Sequence, residues 1–345
     1  MTSPRPRRAT HTSDGIVLVM VLFFVLLLAS AMATFLRRVA VDAGIANNRD
    51  RAQQAEALAR GGIRLGEVIL LEDLRAKGEQ GGPDTRHDLW ARAGELDLIP
   101  DDPDIDLQVR IEDAAARINL NGFLVKGAVP EAGRLYLQQL LAGVIAVMPG
   151  RPEELVYDPL ELAANLVDWI DDDEVSLDGA PEDERYQKRD TPSRAPNRPL
   201  LSVDELRLIE GFDGRLVEAL TPFVTVHPLV GGSGVNLNTA PPWVLIQLQR
   251  GTEVSGTTPF DEKLVRRIVD AREEGPLCGN AATAGDCTPL SDLLEGDEIA
   301  PPPTERSQVF VVTAVARVFD VERRIEAVID RAAEDGPQRL SWRVD

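Results

Sequence analysis

An uncharged apolar run from Ile16 to Leu36 constrains this chain more than any other stretch. Ser30 and Thr34 are its only polar side chains, and Arg37 and Arg38 close it. At about 1.5 Å per helical residue the run is about 30 Å long, the thickness of a hydrocarbon core. It reads as a transmembrane anchor. A cleaved secretory signal fits less well, because its apolar region is shorter and ends in a small-residue cleavage site. The helical pattern continues through Val39, Val41, Ala43, Ile45, Ala52, Ala55, Leu58, Ala59, Ile63, Leu65, Ile69 and Leu70. One helix is therefore predicted to span the bilayer and run well beyond it. Gly78, Gly81, Gly82 and Pro83 stop it.

The 345 residues leave room for an anchor and two ordinary soluble units. A formal net charge of −20 argues against a phosphate-binding surface, because nucleic-acid affinity comes mainly from Lys and Arg. The three His are scattered, and neither a Gly-rich phosphate loop nor a nucleophile elbow is present, so catalysis is not expected. Cys278 and Cys287 sit in one Gly-, Ala- and Asn-rich loop. They are either a disulfide, in an oxidising compartment, or two free thiols. With no second Cys or His pair nearby, zinc is poorly supported. Arginines flank the anchor on both sides (Arg5, Arg7 and Arg8 before it; Arg37, Arg38, Arg49 and Arg51 after it), so charge alone does not orient it.

Asp104 to Glu112 alternates apolar Ile105, Leu107, Val109 and Ile111 with polar residues, the pattern of a half-buried strand. Arg117–Asn121 reads as another short strand. Glu131–Val147 and Pro152–Trp169 follow as helices. Ser202 with Glu205 fits a capping box at the start of a helix that Gly211 ends, and a second helix begins near Asp213 or Gly214. Helix, Gly turn, helix is the plan of a helix-hairpin-helix unit. Asn238 or Thr239 is expected to cap the helix entered by Pro241. Leu264–Ala271 reads as helical, and the Cys-containing loop and Leu290–Leu294 follow it. Ser307–Arg317 and Val321–Ile329 read as a hairpin around Phe319-Asp320. Ile118-Asn119-Leu120-Asn121 recurs as Val235-Asn236-Leu237-Asn238, with each Asn expected to set a turn.

The densest carboxylate cluster holds Asp168, Asp171, Asp172, Asp173, Glu174, Asp178, Glu182, Asp183 and Glu184. So many like charges repel unless they are solvated or bridged by cations. Calcium, which takes six to eight oxygen ligands in flexible geometry, suits such a loop. The offsets are not those of an EF-hand. Trp169 and Tyr186 bracket the cluster and are expected to pack beneath it. A second ion at Asp286, Asp292 or Asp297 is the weaker reading.

A basic leader, Gly15, a long apolar helix and a soluble domain together resemble a type IV prepilin or type II secretion pseudopilin. In that family a prepilin peptidase cuts after the Gly and the new N-terminus is methylated, which implies a mature chain beginning at Ile16. Most members carry Glu at the fifth mature residue; here it is Met20. Asp14 also departs from the basic residue usual before the Gly. The missing Glu, the stretches DWIDDD…GAPEDERY and RPLLSVDELRLIEGF, and VNLNTAPP resemble the K-type minor pseudopilin of the bacterial type II (general) secretion system.

That resemblance implies an α+β fold: a long N-terminal transmembrane helix, a pilin-like α/β core with an antiparallel sheet, and a large inserted helical domain containing helix-hairpin-helix-like units. The implied boundaries are 1–15 for the leader, 16–77 for the long helix with 16–36 in the membrane, and 78–122 for the first part of the core. They continue with 123–305 for the insert, 306–332 for the closing strands and 333–345 for a tail. It implies calcium in the insert, with Asp171, Asp173, Glu182 and Asp183 as ligands and Asp168 as a ligand or the support behind them. The implied protein is non-enzymatic. It is held by a single span in the inner membrane with its C-terminal domain in the periplasm, at the tip of the pseudopilus. Its implied partners are the I- and J-type minor pseudopilins, the major pseudopilin and the prepilin peptidase. Ala31, Ala33, Gly44, Gly62 and Gly66 are expected to admit neighbouring helices. The rival readings are a membrane-anchored helix-hairpin-helix DNA-binding protein, disfavoured by the acidic Ile209–Asp213 turn, and a minor type IV pilin.

Overall fold

The computed structural model describes residues 13–78, 82–99, 102–148, 157–177, 179–188, 192–231, 234–252, 256–279, 287–333 and 336–345. Residues 1–12 of the leader lie outside the described residues, as do Asp178 and Asp286. Helix α1 runs unbroken from Ser13 to Lys77. Its first part is fully exposed, and it is the one helix among the described residues long and apolar enough to cross a membrane. From Ala55 onward one face is buried against a four-stranded sheet.

That sheet comprises β1 (Ile105–Asp113), β2 (Val309–Val318), β3 (Val321–Asp330) and β4 (Gln338–Val344), antiparallel throughout in the order β1-β2-β3-β4. Alternation puts Val109, Ile111, Phe310, Val312, Ala314, Ile325 and Ile329 on the helix side with Ile63, Leu70 and Trp90. Two of the three glycines of α1 expected to face other helices, Gly62 and Gly66, face this sheet instead. A Cβ at Gly62 would lie 2.9 Å from Ala314 Cβ, and one at Gly66 would lie 2.6 Å from Val312 Cγ1. Gly66→Ala is expected to cost about 1–3 kcal/mol by overpacking, despite the better helix propensity of Ala, and chemical denaturation would measure it. A stabilised variant would disprove the close approach. Residues 333–345, expected to be a tail, instead supply the edge strand β4. Its side chains are all exposed, and Arg339 forks onto Glu67 of α1.

Between β1 and β2 the chain builds a separate helical core. It contains α2 (Glu131–Val147), α3 (Pro159–Ile170), α4 (Asp183–Gln187), α5 (Gly214–Leu220), α6 (Pro242–Leu245), α7 (Glu262–Glu274) and α8 (Leu290–Leu294). The expected capping box does not form. Val203–Leu208 is a 3-10 helix, and the Ser202 side chain makes no capping bond. Glu205 instead accepts from the Leu201 amide at 2.9 Å and from Trp169 Nε1 at 3.3 Å. Arg117–Asn121 is a strand only at Ile118–Asn119, after which a 3-10 turn begins.

The repeated Asn pattern marks two copies of one local arrangement. In each copy the first Asn accepts from the amide of the second: Asn119 from Asn121 at 3.0 Å, Asn236 from Asn238 at 3.1 Å. The second Asn then clamps a distant Leu through both backbone groups. Asn121 holds Leu200 at 2.8 and 2.9 Å, and Asn238 holds Leu277 at 2.7 and 3.1 Å. Each copy closes with a parallel two-residue pairing, Ile118–Asn119 on Val224–Thr225 and Val235–Asn236 on Pro303–Thr304. Neither Asn238 nor Thr239 caps a helix; the Thr239 hydroxyl donates to Asp113 at 2.6 Å.

A buried polar joint binds core to insert. Asp84 is fully buried and takes Lys77 at 2.7 Å, Arg331 at 2.5 Å and the Ser307 amide at 2.7 Å. Asn236 of the insert donates to the Asp84 carbonyl and to Asp113, each at 3.0 Å. Asp73 and Asp88 complete the group through the same two cations. Lys77 and Arg331 thus set two positive charges among these three carboxylates.

Candidate metal centre

The C-terminus of α3 delivers Asp171, which is its C-cap residue, and the chain then turns through Asp173. A Val175–Pro181 bridge brings the loop back so that Glu182 stands immediately before α4. Carboxylate oxygens of Asp171, Asp173 and Glu182 all lie within 4.8 Å of one another. Asp171 is 7% and Glu182 3% exposed, while Asp173 faces solvent. Asp171 Oδ1 and both Glu182 oxygens are buried without a well-formed hydrogen bond.

Buried charge without a partner is costly, and the titration of these groups reflects it. Burial, reinforced by Asp173, Asp168 and Asp172, pushes the Asp171 carboxyl up to about 7. Burial, with Asp171, Asp168 and Asp173 adding to it, pushes Glu182 up to about 7, against a smaller pull from the Asn197 amide. Orphaned oxygens of Asp171 and Glu182, with the solvent-facing Asp173 converging on them, are a donor set that fits calcium.

Two other predicted ligands stand apart from this trio. Asp168 lies within α3, where it accepts from the Ser176 hydroxyl and from the Leu177 amide at 3.4 Å, bracing the loop from beneath. Asp183, the first residue of α4, turns the other way. Its carboxylate takes the Ala195 amide at 3.1 Å and Arg194 at 3.5 Å. Trp169 and Tyr186 are buried edge to face beneath the loop, 5.2 Å between centroids. Asp292 and Asp297 are exposed and join no such group among the described residues. Asn197, in the Pro-rich link Pro196-Asn197-Arg198-Pro199, donates its side-chain N–H to the Asp173 carbonyl beside this trio.

Cys278 and Cys287 are joined as a disulfide with Cα atoms 5.9 Å apart, next to the clamped Leu277. Cys278→Ser is expected to cost about 2–3 kcal/mol, read as a lower melting temperature that reductant does not lower further. Gly15 is helical, and Ile16 follows it exposed on the apolar stretch. The Gly211 turn of the helix-hairpin-helix unit packs onto α3. A Cβ there would meet Leu162 Cδ2 at 2.8 Å, and Asn165 donates to the Glu210 carbonyl. Asp158, Glu161 and Glu210 line the small cavity at this turn, which is an unfavourable setting for a phosphate.

Residues 116–229, which contain the carboxylate trio, match the family described as Type II secretion system (T2SS), protein K. A Type II secretion system protein K of Pseudomonas aeruginosa is 33% identical over 271 residues, 75% of this chain and 72% of that protein. The protein of the same description from Klebsiella pneumoniae is 32% identical over 270 residues, 76% of each. A chain in the crystal structure of the GspK-GspI-GspJ complex from the enterotoxigenic Escherichia coli type 2 secretion system has the same fold, with a TM-score of 0.58. It is 20% identical, and the match covers 87% of this chain and 99% of that one.

Proposed function

The chain belongs to the type II secretion system protein K family, the K-type minor pseudopilins, and from that membership we propose that it is a non-enzymatic subunit at the tip of the pseudopilus. The observation that carries the reading is the 33% identity to a protein K over most of both chains, joined to a long apolar helix that leads directly into the sheet core. On this reading α1 anchors the chain once in the inner membrane, and the remainder lies in the periplasm. A prepilin peptidase would cut between Gly15 and Ile16, and the new N-terminus would be methylated. Met20 leaves no carboxylate in the bilayer needing a neighbour's amine, which suits a subunit with no other above it. The I- and J-type minor pseudopilins would be its partners, as in the Escherichia coli complex, and the major pseudopilin would assemble below. The bulk of the insert would block growth past this subunit and so start and cap the filament that exports folded proteins.

Asp171, Asp173 and Glu182 would hold the calcium, with Asp168 bracing them. The ion would supply positive charge to a loop that otherwise buries like charges. The decisive test is co-purification of the full chain with I- and J-type pseudopilins from detergent-solubilised membranes, alongside a secretion assay in a strain lacking the gene. Stoichiometric recovery with both partners and restored export are expected. Restored export without either partner would rule out the tip assignment.

A further inference from the structure

We propose that the outer edge of β4 is a docking site for an extended strand of another polypeptide, one that alternates apolar and acidic residues. β4 pairs with β3 on one side, and no strand lies along its other side among the described residues. The phase of the pairing is fixed just beyond the strand. There Asp345 and Arg324 exchange both backbone hydrogen bonds, at 2.9 and 3.4 Å. In an antiparallel ladder such pairs alternate with pairs whose polar groups point away from each other. Val344, opposite Ile325, and Trp342, opposite Ala327, therefore turn their N–H and C=O groups outward. The same two side chains lie on the α1 side of the sheet, because directly opposed residues share a face and Ile325 and Ala327 are fully buried in the core under α1. Trp342 is 38% and Val344 42% exposed, so that core ends at β4 as an open apolar strip. An edge with unpaired backbone groups and an apolar face is a template for a further strand. Charge selects the occupant. The two charged residues within β4 are both arginines, Arg339 and Arg343, in a chain of formal net charge −20. Arg64 lies one turn before Glu67 on the same face of α1, and Glu67 is the residue that Arg339 grips. Arg64 is exposed and joins no ion pair among the described residues. A strand with apolar side chains beside Trp342 and Val344 and carboxylates toward Arg64 and Arg343 matches both features. A second copy of the chain does not fit. The two-fold axis that would join β4 to its own copy in antiparallel fashion stands normal to the sheet and turns the second α1 end for end. On the single-span reading above, the two anchors would then leave in opposite directions.

The test is fluorescence anisotropy of a labelled peptide, Glu-Val-Glu-Val-Glu-Val-Glu, titrated with the full chain in detergent. In a bonded antiparallel pair the opposed residues share a face, so the valines that sit beside Trp342 and Val344 also supply the N–H and C=O groups that meet β4. N-methylation of the valines should therefore abolish binding, and N-methylation of the inner glutamates should leave it. A peptide with Lys for each Glu should not bind the unchanged chain. On the protein, Val344→Pro removes an outward N–H and keeps the bonds to β3, a position where an edge strand tolerates proline. It should bind the acidic peptide roughly tenfold more weakly, the loss of about one backbone hydrogen bond. Arg64→Glu should also weaken binding of the acidic peptide. No saturable binding of the acidic peptide to the unchanged chain would overturn the proposal. So would equal losses from the two N-methylated peptides, because binding would then not run through paired backbones, or equal affinity for the Lys peptide. A chain that self-associates in detergent, and ceases to do so as Val344→Pro, would make the occupant a second copy and overturn it as well.

Discussion

Arg331→Met is expected to destabilise the protein by about 3–5 kcal/mol, the range for breaking a buried ion pair by removing one partner. Arg331 is 4% exposed and joins Asp73 at 2.8 Å to Asp84 at 2.5 Å. It also lies over the Phe310 ring, 4.6 Å from its centroid. Without it, Lys77 alone would face Asp73, Asp84 and Asp88, and one fully buried carboxylate would lose its strongest donor. Burial already holds Asp73 above the ordinary carboxylate range, with Lys77 working against it. The comparison is Arg339→Met, which removes the largely exposed pair to Glu67 and is expected to cost under about 1 kcal/mol. Urea unfolding of the two variants in detergent would separate them. Equal effects would mean that the joint contributes no more than a surface pair.

The second large effect is the response to calcium. A ligand that binds only the folded state stabilises it by mass action, about 2.7 kcal/mol at 100 times its Kd. The pH dependence carries a sign that identifies the site. Asp171 and Glu182 are raised to about 7 in the folded chain, above their ordinary values of 3.8 and 4.5. Their contribution to stability is therefore complete below about pH 4 and is lost as pH rises through about 7. In chelator, melting temperature should climb as the sample is acidified from pH 8 toward 5; in calcium, that slope should flatten. His227 acts oppositely, since burial lowers its pKa and acid below 6.5 destabilises the fold, but it does so equally with and without the ion. The double variant Asp171→Asn, Glu182→Gln should melt higher than the unchanged chain in chelator and no longer respond to calcium. A variant that melts lower in chelator would show that these carboxylates are satisfied within the fold.

The sheet and the long helix were legible because periodicity reports burial directly. The alternation predicts a strand over Asp104–Glu112, and β1 runs Ile105–Asp113; the two strands of the hairpin around Phe319 lie within a few residues of their predicted ends. β4 was invisible for the same reason: Gln338–Val344 is held by backbone pairing and Arg339, with no face buried to print a pattern. The acidic loop is legible from its density of charge, but not which carboxylates converge. Neighbours at the start of a helix point about 100° apart, so Glu182 turns toward Asp171 while Asp183 turns toward Ala195 and Arg194. Gly62 and Gly66 read correctly as sites of close approach, but what approaches is the sheet. No local pattern distinguishes those two partners.

The seam between α1 and the sheet also has a mechanical meaning. It is pinned at both ends. Arg51 lies over the Phe319 ring and pairs with Asp320 at the hairpin tip, and Lys77 is locked into the buried joint at the far end. A pull along the helix axis would load this seam in shear, so the two glycine notches, the tip contact and the joint would have to give way together. A sideways pull would unzip them one at a time. The subunit is thus stiff along the helix axis and compliant across it. Pulling single molecules between the N-terminal end of α1 and the Ser307 end of the sheet should yield a higher rupture force than peeling from the C-terminal strand.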